Sequence, residues 1–284
     1  MSFYYHITTK ERIMKVMYGE KVEIGTIGLI GLMLGIFSCV PCILPAQEIL
    51  NIDFSAAQGY INDFVVGQPA GATNQWLDLV DTGITGIIPA DDYFIENEKL
   101  IVWQNGSGAA WIYMMFPPQT KGDLTLTWEW QYVGLPEESI DVGVNLSDSA
   151  NYSLSITAGS LSGWGRQTTS IRMAQANGVI DLHNGSDYSA LVPYSYTDGK
   201  LISIRYIVHL DKKTFDAYAQ KEGEEEVALG IGYGYRRDVS ATTGGLDHLS
   251  IWLSGSTTSE CHIDNIVLIA TGGNTSISDW FLYE

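Results

Sequence analysis

A run of strictly alternating side chains at residues 124–133 constrains the fold of this chain more than any other feature. Successive side chains of a β-strand point to opposite faces, so every second residue of the run shares a face. One of these faces carries only large apolar side chains, namely Leu124, Leu126, Trp128, Trp130 and Tyr132. The intervening positions carry Thr, Glu and Gln. The run therefore predicts a strand with one core face and one polar face, with both tryptophans in the core.

Shorter alternating runs follow one another through most of the chain. From Ile49 onward they are separated by Gly, Asn, Asp, Ser and Pro, and no convincing run of helical period appears. Residues 201–210 and 214–220 flank the polar turn Asp211-Lys212-Lys213, which predicts a β-hairpin. Many short strands without intervening helices predict an all-β fold, a two-sheet antiparallel β-sandwich of the jelly-roll kind.

The N-terminal segment differs from the rest of the chain. Residues 26–46 carry no charged side chain, and the small Ala46 precedes the polar Gln47-Glu48. This pattern predicts a signal peptide, and hence a secreted protein in an extracellular or periplasmic location. The alternative is an uncleaved membrane segment at residues 26–46, since about 20 apolar residues can span a bilayer. We therefore divide the chain into residues 1–46, a β-sandwich domain at 47–270 and a C-terminal tail at 271–284.

The charge of the chain limits its partners. Asp and Glu total 33 against 15 Lys and Arg, a net charge of −18 that is spread along the chain. Nucleic acid is not an expected partner, because phosphates require a basic protein surface. Among polysaccharides, the net charge favours a neutral polymer over a polyanion, although a local arginine cluster can override the global field.

Three fragments carry a resemblance to a known superfamily. They are an opening Asp53-Phe54-Ser55 with Gly59-Tyr60 and Gly67-Gln68, a hairpin over residues 204–208 and 215–218, and a closing His262-Ile263-Asp264-Asn265-Ile266. The chain resembles the concanavalin A-like lectin/glucanase (laminin-G-like) jelly rolls of exported bacterial proteins. The resemblance implies that the first and last strands pair near the chain ends, and that a concave sheet holds carbohydrate.

The catalytic motifs of this superfamily are missing from the sequence. Its glucanases carry Glu, Asp and Glu closely spaced along one strand, because two carboxylates must flank the glycosidic bond. Residues 137–141, Glu-Glu-Ser-Ile-Asp, lack that spacing. The alginate-lyase-like members use a Gln-x-His strand, and no Gln-x-His occurs here.

The polar faces of the predicted strands supply the candidates for ligand binding. If the strands keep the register of their alternation, the polar residues share one kind of face, where they can bond sugar hydroxyls. A loop tryptophan between two glycines, Trp164, is a candidate platform for a sugar ring. The predicted binding residues are Gln131, Asp141, Asn145, Trp164 and Arg172. The alternative is an ordinary solvated sheet face, on which mixed polar residues and charge pairs are common.

Three functions are compatible with these features. The leading hypothesis is a secreted, lectin-like, non-catalytic protein that binds carbohydrate. The second is a polysaccharide lyase or glycoside hydrolase acting on the concave sheet face, in which Glu129, Arg205 and His209 supply acid, base and charge neutralisation. The third is a cell-surface adhesion module whose ligand is a protein, favoured if the Trp164 loop forms an apolar patch.

The resemblance also implies a calcium site near the chain ends. Asp53 and Asp264 meet if the terminal strands pair, and jelly-roll binding modules often hold a structural calcium there. Carboxylate and backbone oxygens suit this hard cation. The alternative is that the two carboxylates meet only water.

Overall fold

The computed structural model describes residues 46–78, 92–103, 108–135, 138–151, 167–241, 243–255 and 259–272. The predicted leader, the Trp164 loop and residues 273–284 lie outside these ranges. Within them the chain forms strands, a 3-10 helix at Ala56–Gln58 and a short helical stretch at 149–151. The strands are β1 Gln47–Ile52, β2 Leu77–Asp78, β3 Tyr93–Glu96, β4 Lys99–Trp103, β5 Gly108–Gln119, β6 Asp123–Val133, β7 Asp141–Ser147, β8 Ile171–Ala174, β9 Val179–His183, β10 Tyr188–Ser195, β11 Ile202–His209, β12 Thr214–Lys221, β13 Val227–Gly234, β14 Leu246–Gly255 and β15 Glu260–Thr271.

The described strands form two antiparallel sheets. The eight-stranded sheet has the order β13-β12-β11-β6-β15-β4-β3, and β1 also pairs with β15. The seven-stranded sheet has the order β10-β9-β8-β7-β14-β5-β2. The inward side chains of both sheets form one hydrophobic core. The prediction of an all-β, two-sheet antiparallel sandwich is confirmed.

Strand β6 lies in the interior of the eight-stranded sheet, between β11 and β15. Its burial alternates residue by residue, as the sequence predicts, and Trp128 and Trp130 are 1% and 0% exposed. Their rings meet edge to face, with 5.4 Å between the centroids. This arrangement adds a favourable quadrupole contact to the burial of two large apolar side chains. The prediction that both tryptophans belong to the core is confirmed.

Two further predictions about strand pairing are confirmed. The hairpin across Asp211-Lys212-Lys213 forms between β11 and β12, with His209 opposite Thr214. The first and last described strands pair as the superfamily resemblance implies, with Ile52 opposite Ile266. This second pairing brings the two ends of the domain together in one sheet.

The sequence patterns missed β3 and β10, which both lie at sheet edges, and they placed the first strand at residues 52–54 instead of Gln47–Ile52. Strand β10 contains Pro193, and its register with β9 shifts between Ser189 and Tyr194. A proline interrupts the alternation but is tolerated at an edge or a bulge, because no ladder hydrogen bond is then lost. Strand β3 has only four residues, Tyr93–Glu96, which is too short to show a period.

None of the helices in the described ranges has the length and apolar character that crossing a membrane requires.

Candidate functional site

The structure divides the predicted polar set between the two sheets. Glu129, Gln131, Arg205 and His209 lie on β6 and β11, in the eight-stranded sheet, whereas the other described candidates lie on β7 and β8 of the seven-stranded sheet. Their side chains point away from the core, so the two groups occupy opposite outer faces. Packed sheets are about 10 Å apart, with the core between them. The grouping of these residues into one site is therefore wrong.

On the eight-stranded sheet, Arg205 is held by two neighbours. Its Nε donates to Glu226 Oε1 at 2.9 Å, and its Cζ lies 4.0 Å from the centroid of the Tyr218 ring. The ion pair is open to solvent, since the two side chains are 38% and 37% exposed. Exposed pairs of this kind add little to stability.

His209 sits between two carboxylates on the same face. Its Nδ1 lies 2.9 Å from Asp123 Oδ1, and its Nε2 lies 3.3 Å from Asp216 Oδ2. Burial alone would lower the pKa of His209, but the hydrogen bonds to both carboxylates outweigh it and raise that pKa. Both ring nitrogens are thus engaged within the protein.

Two of the three residues proposed for catalysis, Glu129 and His209, lie far apart along the strands. Glu129 stands opposite Ser203, which is six residues from His209 along β11. At about 3.4 Å per residue this separates Glu129 from His209 by about 20 Å, whereas the carboxyl pair of a glycosidase lies within about 10 Å. The described strands therefore do not bring Glu129 and His209 together, and a catalytic role for Glu129, Arg205 and His209 stays a prediction.

Glu129 and Gln131 serve as braces of the eight-stranded sheet. Glu129 Oε2 accepts a hydrogen bond from Asn265 Nδ2 at 2.9 Å, which ties β6 to β15. Gln131 Nε2 donates to the backbone oxygen of Gly199 at 3.2 Å. Both contacts occupy these side chains within the protein.

The outer face of the seven-stranded sheet has a different character. Five residues on five neighbouring strands lie in one row across the sheet. In order along the row they are Trp111, Trp252, Gly143, Arg172 and Asp181. With about 4.8 Å between strands, this row extends about 19 Å across the sheet. Trp111 and Trp252 are 3% and 0% exposed, yet neither belongs to the sandwich core. Aromatic and charged side chains are thus packed together on an outward face.

Gly143 allows the indole of Trp252 to pack directly against the backbone of β7. A β-carbon on Gly143 would overlap the indole of Trp252, so the ring lies directly over this position. Glycine is required here for close approach, which is the usual reason for a glycine inside a strand.

Replacing Gly143 with Ala is expected to displace Trp252 and lower the free energy of unfolding by about 2 kcal/mol, a typical cost of overpacking. Urea denaturation gives the stability, and the near-UV circular dichroism of the tryptophans gives the displacement. Gly234→Ala is the control, because its nearest neighbour would be 3.9 Å from the new β-carbon. An equal loss in both variants would show that the indole of Trp252 is not the cause.

Asn145 connects the row to residues 167–170, which precede β8 in the sequence. In the amide orientation that suits its neighbours, its oxygen accepts from Trp252 Nε1 at 2.9 Å and from Gln167 Nε2 at 3.2 Å. Its nitrogen donates to Ser170 Oγ at 2.9 Å and to Thr169 O at 3.2 Å. Asn145 is fully buried, so its part in the site is to hold other side chains in place.

The charged end of the row centres on Arg172. Its Nε donates to Asp181 Oδ1 at 2.7 Å and its Nη2 to Asp181 Oδ2 at 3.2 Å, a bidentate pair. Its Nη1 lies 3.5 Å from Asp141 Oδ1, and its Cζ lies 3.8 Å from the centroid of the Tyr188 ring. Arg236 approaches the same ring, and its Nη1 donates to the Tyr188 hydroxyl at 3.0 Å. We call Asp141, Arg172, Asp181, Tyr188 and Arg236 the Arg172 cluster.

Burial perturbs the titration of several groups in and beside the Arg172 cluster. It raises the pKa of Asp141 to about 6, against the opposing charge of Arg172. Burial and then the charge of Arg236 lower the pKa of the neighbouring His183 to about 4. Burial also raises the pKa of Tyr188. Groups with perturbed pKa values gather at functional sites, so this cluster is the best candidate site among the described residues.

The pKa shifts of Asp141 and His183 predict opposite pH dependences of the free energy of unfolding. The folded pKa of Asp141 lies above its ordinary value of 3.8, so its contribution is complete below that pH and is lost as the pH rises through 6. The folded pKa of His183 lies below its ordinary value of 6.5, so its contribution is complete above that pH and is lost as the pH falls through 4. Each contribution is at most about 3 kcal/mol.

Urea denaturation between about pH 4 and 7 tests both signs. Relative to the unaltered protein, Asp141→Asn is expected to gain stability as the pH rises, and His183→Gln as the pH falls. Slopes of the same sign in the two variants would contradict this account of the cluster.

The remaining predicted residues stand apart from this site. Burial raises the pKa of Asp264, and the nearby charges of Glu129 and Asp53 act in the same direction. Among the described residues, no group of three or more His, Cys, Asp or Glu is arranged to hold a metal ion. Calcium at Asp53 and Asp264 stays a prediction.

Trp164 lies outside the described ranges. The adhesion hypothesis depends on its loop and therefore also stays a prediction.

Comparison with solved structures identifies the architecture. The winged bean acidic lectin, complexed with methyl-α-D-galactose, aligns with a TM-score of 0.50 at 7% identity, over 80% of this chain and 99% of that one. The fold is a concanavalin A-like jelly roll. Peanut lectin aligns with a TM-score of 0.49 at 10% identity, over 82% of this chain and 100% of that one. The catalytic domain of a glycoside hydrolase family 131 protein from Coprinopsis cinerea gives 0.48 at 11% identity, over 77% and 94%.

The jelly-roll likeness establishes the fold alone. At such low identities it gives no correspondence between individual residues. No family model matches the chain, and no curated protein matches it. The case for a site therefore depends on the geometry of the Arg172 cluster.

Sequence reasoning found part of this cluster. It identified Asp141, Asn145 and Arg172, which the structure places on one face of neighbouring strands. It missed Asp181, Tyr188 and Arg236. The hairpin of β8 and β9 could have revealed Asp181, since a turn ending in Asn177-Gly178 sets Arg172 opposite Asp181.

Proposed function

We propose that this protein binds carbohydrate through the Arg172 cluster, on the outer face of the seven-stranded sheet, as a secreted protein without catalytic activity. The observation that carries the proposal is the arrangement of Tyr188. Its ring lies 3.8 Å from the Arg172 guanidinium carbon and 5.5 Å from that of Arg236, beside the carboxylates of Asp141 and Asp181. An aromatic ring is thus held among charged planar groups.

This combination suits a sugar for two reasons. Carboxylates and guanidinium groups offer paired acceptors and donors, which match neighbouring hydroxyl groups. A tyrosine ring offers an apolar surface with a polar end, which matches the mixed character of a sugar ring. The bidentate pair of Arg172 and Asp181 fixes the orientation of these groups before a ligand arrives, which lowers the entropic cost of binding.

The fold supports carbohydrate as the first class of ligand to test. The winged bean acidic lectin of the same architecture is complexed with methyl-α-D-galactose. A shared fold hosts many functions, so the site must decide the question.

A glycan array probed with two matched variants tests the proposal. Tyr188 and Tyr218 each lie beneath an arginine, at 3.8 Å and 4.0 Å, but on opposite sheets. Tyr188→Ala is expected to lower the affinity for the best glycan about ten-fold, because a packed aromatic contact is lost. Tyr218→Ala is expected to leave the affinity unchanged.

Two results would count against carbohydrate binding at this site. Failure of the unaltered protein to bind any glycan on the array would remove the proposed function. Loss of binding in Tyr218→Ala, with Tyr188→Ala intact, would move the site to the eight-stranded sheet.

The proposal includes export through the predicted leader. Cleavage after Ala46 would give an exported protein that begins at Gln47. The intact mass of the exported protein distinguishes this product from a chain that keeps residues 26–46.

A polysaccharide lyase or hydrolase at the same face is the second candidate, and the titration of Asp141 favours it. A carboxyl with a pKa of about 6 can donate or accept a proton near neutral pH, as general acid–base catalysis requires. Release of reducing ends from a bound polymer, abolished by Asp141→Asn, would establish catalysis. Binding without any release by the unaltered protein would support the non-catalytic proposal.

A further inference from the structure

The basic side chains of this acidic chain divide into two groups. Five of them in the described ranges form ion pairs with carboxylates, namely Arg172, Lys200, Arg205, Lys213 and Lys221. Arg236 and Arg237, like Lys99, Lys121 and Lys212, form no ion pair with a carboxylate of the described residues, although acidic residues outnumber basic ones by 33 to 15. An arginine without a carboxylate is unexpected where carboxylates are abundant.

Arg236 is nevertheless held in a defined position. Its backbone nitrogen donates to Thr168 O at 2.9 Å, and its Nη1 donates to the Tyr188 hydroxyl at 3.0 Å. The Tyr188 hydroxyl also lies 3.0 Å from Ser170 Oγ. Arg236 is half-buried, whereas Arg237 is exposed. The guanidinium of Arg236 is therefore fixed at the edge of the Arg172 cluster.

The charge of Arg236 is not neutralised by the cluster. Asp181 is engaged by both Nε and Nη2 of Arg172, and Asp141 lies closest to Nη1 of the same arginine. Among the described residues, the guanidinium of Arg236 contacts the neutral hydroxyl and ring of Tyr188. Partial burial of a guanidinium costs free energy unless an anion compensates it. A bound anion would supply that compensation.

We propose that the carbohydrate bound at the Arg172 cluster is anionic, and that Arg236 binds a carboxylate of its sugar ring, as in a polyuronate. This inference rests on the proposed function and adds the chemical class of the ligand. A guanidinium matches a carboxylate in shape, because two parallel N–H groups meet two oxygens in one plane. The inference departs from the expectation of a neutral polymer, which was based on total charge, because Arg236 sets the local charge.

Titration calorimetry with matched polymers tests the inference on the unaltered protein. Polygalacturonate, alginate and hyaluronate are each compared with the same polymer after chemical reduction of its carboxylates to alcohols. The best polyuronate is expected to bind at least about ten-fold tighter than its reduced form, as one charge-assisted hydrogen-bonded contact provides.

Two neighbouring arginines supply the variants. Arg236→Gln is expected to bring the two affinities within about three-fold of each other, because its amide cannot form the ion pair. Arg237→Gln removes the same charge from an exposed neighbour. This variant is expected to retain most of the preference for the polyuronate over its reduced form. If Arg236→Gln lacks the near-UV circular dichroism of the folded protein, Arg236→Lys replaces it, with an expected loss of about five-fold for the polyuronate.

The contrary results distinguish a failure of the anionic-ligand inference from a failure of the proposed function. Equal or tighter binding of the reduced polymers, or binding only of neutral glycans on an array, would overturn the anionic ligand and leave carbohydrate binding intact. A preference that survives both Arg236 variants, or that is lost equally in Arg237→Gln, would also overturn it. Failure to bind any polymer or array glycan would overturn the proposed function itself.

Discussion

Replacing Arg172 with Met is expected to lower the free energy of unfolding by about 3 kcal/mol, measured by urea denaturation at neutral pH. Arg172 balances Asp181 and Asp141, whose side chains are only 9% and 17% exposed. Removing one partner of a buried pair leaves the other charge without compensation, which costs about 3–5 kcal/mol. Arg172 is itself 19% exposed, so the lower end of this range applies.

The chain contains a matched control for this variant. Arg205 also pairs with a carboxylate through two nitrogens and also lies over a tyrosine ring, at 4.0 Å compared with 3.8 Å for Arg172. The difference is exposure, because Arg205 and Glu226 are 38% and 37% exposed. Arg205→Met is expected to cost less than about 1 kcal/mol. Equal losses in the two variants would show that burial of the pair is not the cause.

Replacing Trp130 with Ala is expected to have the largest effect on stability, a loss of about 4 kcal/mol. Trp130 is 0% exposed, and its ring meets that of Trp128 edge to face at 5.4 Å. The variant loses the transfer free energy of the indole and leaves a cavity that the sandwich can close only in part. Because Trp130 faces the core, the fraction that remains folded is expected to bind glycan as tightly as the unaltered protein.

An exposed aromatic residue provides the comparison for Trp130. Phe64 is 53% exposed, and Phe64→Ala is expected to change the free energy of unfolding by less than about 1 kcal/mol. A comparable loss in the two variants would contradict the role of β6 as the centre of the core.

The inward face of the sandwich could be predicted from sequence because its signal is local. In β6, each apolar residue is two positions from the next, and the period of a strand assigns them all to one face. The hairpin of β11 and β12 was predictable for the same reason, since a short polar turn joins two alternating runs. Neither inference requires knowledge of distant parts of the chain.

The outward face could not be assigned in the same way, because alternation does not say to which sheet a strand belongs. Glu129 and Asp141 are twelve positions apart and both point away from the core. Strand β6 nevertheless pairs with β11 and β15, whereas β7 pairs with β8 and β14. The chain passes between the sheets from β6 to β7, which places the two carboxylates on opposite surfaces. Only the pairing of strands that are distant in sequence determines the sheet to which each strand belongs.

The same limit explains which members of the candidate site were found. Arg172 and Asp181 belong to one hairpin, so their pairing is a short-range property. Tyr188 comes from an edge strand interrupted by Pro193, and Arg236 follows β13 of the other sheet. Their meeting depends on the contact between β10 and β13 where the two sheets approach, and no local pattern encodes that contact.

A crystal structure of the protein with an oligosaccharide from its tightest glycan tests the central claim most directly. The expected result is a sugar on the outer face of the seven-stranded sheet, in contact with the Tyr188 ring and hydrogen-bonded to Arg172 or Arg236. A sugar bound instead on the eight-stranded sheet, beside Arg205 and Glu226, would contradict the claim.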